Sequence, residues 1–91
     1  MPGSGEADTA AVEAARRRTL WRTRRGMAEL DTALGAFLRS EPQLSEREWE
    51  TLERLLGAPD PVLLEWLMGR ATPADSDQAA LVGRIRRHAA D

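Results

Sequence analysis

Within thirteen residues, TLWRTRRGMAELD from Thr19 to Asp31, the chain sets three arginines and a tryptophan ahead of a lone glycine, then two acids. Guanidinium groups beside a glycine can grip a phosphate, suit the negative end of a helix, or meet an acidic protein surface. Arg25 and Glu29 stand four apart, within reach of a salt bridge across the turn. Exposed, such a pair contributes only a few tenths of a kcal/mol. Gly26 can close a helix in the left-handed conformation, or let a foreign backbone approach while the two charges set register. Arg18, Arg22 and Arg25 fall at i, i+4 and i+7 and line one side of a helix. Trp21, an aromatic among arginines on a weakly apolar segment, has the composition of an interaction hot spot.

Other chemistry is thinly supplied. Cysteine is absent and His88 is the one histidine, so neither thiolate nor multi-histidine metal sites can form within one chain. PGSG near the N-terminus follows no strand and is no phosphate loop. Glu46, Glu48, Glu50 and Glu53 are spread around a helix surface, where solvated charge is the ordinary reading. His88 suits the last turn of a helix. An enzyme is hard to build from this set.

The residues must be held by helices, because no strand-like alternation occurs. The chain of 91 residues, 31 % charged and 42 % apolar, fits one small helical domain. No apolar run reaches the roughly 18 residues of a membrane span, and a secretory signal pattern is lacking, so the expected location is the cytoplasm. Net charge is −2, yet six arginines and no acid lie between Arg16 and Arg25: a basic segment on an acidic body. All thirteen basic residues are arginine, so arginine in place of lysine carries little weight at any single position.

Residues 1–10 read as a mobile tail, and 11–91 as a single helical-bundle domain. A first helix, from about residue 11 to 25, has a thin apolar stripe of Val12, Ala15, Leu20 and Trp21, ending at Gly26. A second, about 27–39, repeats Met27, Leu30, Leu34, Phe37 and Leu38 on one face. Pro42 disfavours helix at Glu41. Ser45 and Glu48 form a capping box, with Leu44 and Trp49 as its staple. The third helix then buries Trp49, Leu52, Leu55 and Leu56 and stops at Gly57. Asp60 and Pro61 open a fourth as N-cap and first residue. Its run of Val62, Leu63, Leu64, Trp66, Leu67 and Met68 is too wide for one face, so it is mostly buried or turns an apolar side outward; Gly69 stops it. A fifth starts near Thr72 and Pro73 and carries Leu81, Val82 and Ile85. Short loops between these elements give an all-α five-helix bundle.

LWRTRRGMAELD and LLGAPDPVLLEWLM together resemble the FAD assembly factors of succinate dehydrogenase, the succinate dehydrogenase assembly factor 2 family. The motif R-G-x-x-E is met by Arg25, Gly26 and Glu29, and its extension R-R-G-M-x-E-L-D by Arg24 through Asp31. A second block, D-x-x-L-x-x-W-L, is met by Asp60, Leu63, Trp66 and Leu67. Ala28 stands where larger residues are common, and the Ala-rich start matches nothing. The resemblance implies a five-helix bundle and a chaperone, not an enzyme. It implies binding to the flavoprotein subunit of succinate dehydrogenase or fumarate reductase, and promotion of covalent FAD attachment to a histidine there. It makes Arg25, Gly26 and Glu29 the main partner contacts, with Arg24, Met27 and Asp31 as weaker transfers. No cofactor is expected to be held tightly, and neither a membrane nor a nucleic acid is an expected partner; FAD belongs to the partner subunit. The competing reading is a small arginine-rich nucleic-acid-binding module or another protein-interaction module.

Overall fold

The computed structural model describes residues 2–40 and 42–90, with side chains from 9–40 and 42–88. Five helices follow in order: α1 (Pro2–Trp21), α2 (Ala28–Arg39), α3 (Glu46–Leu55), α4 (Asp60–Leu67) and α5 (Ser76–Ala90). No strand occurs among the described residues, so the fold is the all-α bundle that the helical periodicity requires.

The core is built from α2 to α5. Leu30, Leu34 and Phe37 of α2 meet Leu52 and Leu55 of α3, Leu63 and Leu67 of α4, and Leu81, Val82 and Ile85 of α5, with Leu56 from the α3–α4 turn. Met27, Leu38, Leu44, Trp49, Leu64 and Trp66 pack half-buried around this centre. The second-helix stripe thus reaches the core along its whole length. His88 stacks edge-on against Phe37, with ring centres 6.0 Å apart. On α4, Leu63 and Leu67 face inward while Val62, and Met68 just past the helix, stay exposed. Of the two arrangements open to that helix, the outward apolar side is the one found.

The first helix stands apart from this centre. Val12, Ala15, Arg16 and Thr19 line a shallow groove with Trp49 and the acids of α3. Arg16 pairs with Glu46 at 3.1 Å and lies 5.0 Å from the Trp49 ring centre. Among the described side chains of α1 only Thr19 is buried. The thin stripe therefore packs weakly, as its composition requires.

Several boundaries differ from expectation. α1 begins at Pro2, not near residue 11; proline fits a first helical turn, and helix runs on through Gly3, Ser4 and Gly5 despite their low propensity. It ends at Trp21, not Arg25. There the Thr23 hydroxyl donates to the Leu20 carbonyl (2.6 Å), and the amides of Thr23 and Arg24 bond three residues back, tightening the chain into a turn. Arg22 and Arg25 therefore leave the helix, and the expected arginine stripe is broken. Asp60 is already helical and Pro59 holds the N-cap place, because the Asp60 carboxylate is engaged elsewhere. α5 starts at Ser76, not at Thr72–Pro73: Asp75 accepts from the Gln78 amide (3.0 Å) and caps it. The expected departure from helix at Glu41 falls outside the described residues; Ser40 before it is a turn. Gly69, expected to stop α4, follows it with φ 76°, in the left-handed conformation.

The Ser45–Glu48 capping box forms in full. Glu48 also accepts from Arg84 (2.7 Å), and Asp75 from Arg54 (2.9 Å), so two ion pairs tie α3 to α5, one to the helix and one to its cap. Backbone hydrogen bonds, from Ser45 to Glu48 and from Gln78 to Asp75, are the main reason both carboxyls titrate below their ordinary range; the arginines add to it. A folded pKa below the unfolded one gives stability that is complete above the ordinary carboxylate range and is lost as pH falls through the lowered values. Melting temperature is therefore expected to drop with acid in that window. Glu48→Gln and Asp75→Asn should each flatten the drop; acid slopes identical to the parent chain would disprove the assignment.

Candidate functional site

The segment between α1 and α2, residues 22–27, is ordered by two acids that reach it from different directions. Asp31, in the first turns of α2, accepts from the Arg25 amide at 2.7 Å and from the Gly26 amide at 3.1 Å. Both its oxygens thus hold backbone that leads into the helix. Met27 occupies the N-cap place in an extended conformation (φ −108°, ψ 117°) without a side-chain cap of its own, and its side chain leans on the core. The Asp31 amide opens the α2 ladder on the Met27 carbonyl (2.9 Å).

The second acid is Asp60. Arg25 Nε donates to its Oδ1 at 2.7 Å. The same guanidinium donates through Nη1 to the carbonyls of Leu56 (2.7 Å) and Arg22 (3.1 Å), and through Nη2 to that of Ala58 (2.8 Å). Leu56 and Ala58 sit just past α3, where helix carbonyls lack an intrahelical partner. One side chain thus joins the α1–α2 loop, the end of α3 and the start of α4. The Arg25 side chain is only 15 % exposed. The expected Arg25–Glu29 pair is not formed: the guanidinium points inward to Asp60 and the carbonyls, where charge-assisted bonds in a half-buried setting outweigh an exposed pair.

Gly26 follows with φ 81°, and a Cβ added there would meet no atom within 4 Å. Glycine is needed for its backbone conformation, and the space above it is open. Glu29 is exposed one turn further on, with no ion pair among the described residues. Arg24 is exposed too, its guanidinium 4.6 Å from the ring centre of Trp21, and Trp21 is 67 % exposed.

The expected site residues therefore divide. Arg24, Gly26 and Glu29 are exposed, while Arg25, Met27 and Asp31 are half-buried and turn toward the protein. Trp21 joins the outward group, which its place among arginines foreshadowed. Beside them Leu20, Arg24, Leu38 and Arg39 border an open concavity of about 520 Å³, with Leu20 itself exposed. Arg17, Leu20, Trp21 and Arg24 line a second of about 250 Å³. Both are open hollows lined by arginine together with apolar side chains, a form that suits a protein surface better than a buried small molecule. Among the described residues no group of acids or histidines is arranged to hold a metal. The role of Asp60 toward Arg25 escaped the sequence reading, since nothing local links positions 35 apart.

Comparison with known proteins places this geometry in context. Residues 17–89 match the model of the Sdh5 family, described as flavinator of succinate dehydrogenase. The chain is similar to the FAD assembly factor SdhE of Coxiella burnetii, 38 % identical over 68 residues, 74 % of this chain and 83 % of the relative. It is 42 % identical over 70 residues to that of Legionella pneumophila, 76 % of this chain and 87 % of the relative. It is 43 % identical over 74 residues to that of Methylococcus capsulatus, 78 % and 87 % respectively. No solved structure matches the chain.

Proposed function

We propose that this chain, which belongs to the Sdh5 family of succinate dehydrogenase flavinators, works as an assembly factor through the surface formed by Trp21, Arg24, Gly26 and Glu29. It promotes covalent attachment of FAD to the flavoprotein subunit of succinate dehydrogenase; fumarate reductase, whose flavoprotein is related, is a further client. The observation that supports docking there is the exposed Glu29 three residues after Gly26: a carboxylate with no ion pair among the described residues, close in the chain to open backbone at Gly26, an exposed arginine and an exposed indole. Charge on such a surface sets register and the aromatic supplies contact area.

The chemistry stays with the partner. A helper bound across mobile parts of the flavoprotein can hold histidine and flavin near attack geometry by preferring that conformation. The chain itself holds no FAD tightly and adds no general base: its groups bind and orient. Arg25, Met27 and Asp31 belong to the site through the shape they impose. No described helix is long and apolar enough to cross a membrane, and the cytoplasm is the proposed place of action.

Reconstitution tests this directly. Apo-flavoprotein and FAD are incubated with and without the chain, and covalent flavin is read by fluorescence after denaturing electrophoresis. A marked gain with the chain is expected. Equal labelling in both lanes would refute the assembly role.

A further inference from the structure

We propose that Arg25 and Asp60 form an internal clasp that positions residues 26–29 for the flavoprotein, and that neither side chain touches it. The inference rests on the docking reading above. Arginine carries five N–H donors, and four of those on Arg25 are already directed at acceptors inside the chain: Asp60, Leu56, Arg22 and Ala58. To meet a partner, the guanidinium would have to abandon two carbonyls at the end of α3 and a carboxylate at the start of α4. Buried or half-buried acceptors left without a donor are costly, so such a release is disfavoured.

The clasp has a geometric consequence. Asp31 fixes the loop from the α2 side by holding the amides of Arg25 and Gly26. Arg25 fixes it from the α3–α4 side. Gly26, between these anchors, keeps its φ of 81°, and Glu29 follows in the first turn of a helix whose entry is thereby set. Removing either anchor leaves the outward residues chemically intact but free to adopt other directions. The two sequence blocks, one around Arg25 and one around Asp60, are thus parts of a single device. The second block supplies a positioning residue to the first.

Arg25→Lys and Asp60→Asn test this in the full chain, with Glu29→Gln as the reference for direct contact. Lysine keeps the charge but cannot serve several acceptors with a planar fork. Amide hydrogen exchange is measured on the free chain, affinity for the flavoprotein by titration, and covalent flavin by fluorescence. Faster exchange at Gly26 to Glu29 is expected in both clasp variants, with the core of α3 and α5 unchanged. Flavoprotein affinity should fall about fivefold to tenfold in each. Combined with Glu29→Gln, the loss should fall short of the product of the single losses, as expected when one residue acts through another. Should Arg25→Lys fail to fold, Asp60→Asn carries the same test. Parent-like exchange at residues 26–29 overturns the clasp whatever the affinity does. So does a loss at Arg25→Lys that multiplies fully with that of Glu29→Gln, which marks direct contact. A normal Glu29→Gln phenotype instead strikes the docking surface itself, and leaves the exchange result to judge the clasp.

Discussion

Glu29→Ala is expected to cut affinity for the flavoprotein by roughly thirtyfold, the equivalent of about 2 kcal/mol for a lost charge-assisted contact. Covalent flavin at limiting chain concentration should fall with it. The folded chain should be nearly untouched. Glu29 is exposed and unpaired among the described residues, so its removal breaks no internal bond. What it gives α2 is a negative charge in the first turn, worth about 0.3–1 kcal/mol near the positive helix end. Alanine recovers part of that through better helix propensity. The two effects separate cleanly in one pair of measurements, thermal melting and flavin fluorescence. A variant that labels the partner as fully as the parent chain would remove Glu29 from the site; one that melts far lower would show an internal role the structure does not contain.

Gly26→Arg is the second large effect, and Gly26→Ala separates its causes. At φ 81° any side chain meets backbone strain, on the order of 1–3 kcal/mol, whatever room surrounds it. There is room: no atom lies within 4 Å of an added Cβ. Both variants should therefore pay similar strain and fold with similarly reduced stability. They should part company at the partner. Alanine adds one methyl above an otherwise open loop and should retain much of the binding. Arginine projects a long cation where another backbone is to approach, and should abolish binding and covalent flavin together. Equal flavin labelling by the two variants would mean that Gly26 matters for its backbone angle alone.

Much of the fold was legible because its signals are local. The stripe Leu30, Leu34 and Phe37 announces a buried helix face by spacing alone, and Ser45 with Glu48 writes a helix start within four residues. Gly69 was recognisable as a helix stop and Gly26 as a left-handed glycine for the same reason, although Gly26 lies five residues past the end of α1 and does not close it. The end of α1 was not. Arg22, Arg24 and Arg25 have good helix propensity, and what turns the chain is the Thr23 hydroxyl on Leu20 together with anchors from Asp31 and Asp60. Propensity is weak beside several such bonds. The N-cap at Asp60 was misplaced by one residue for a related cause: its carboxylate faces Arg25, not its own helix.

By itself the sequence determined the helices of the core, the basic segment on an acidic body, the absence of cysteine chemistry, and the motif that ties the chain to its family. These depend on residue type and on neighbours within about two turns. Only the tertiary structure decided which motif residues face outward. A charged side chain four residues from an acid has no local reason to ignore it, and Arg25 does so because Asp60, Leu56 and Ala58 are brought beside it from more than thirty residues away. Converging acceptors in a half-buried corner hold a guanidinium more firmly than one solvated carboxylate can. That contest, settled by packing, leaves Glu29 exposed and without an ion pair among the described residues.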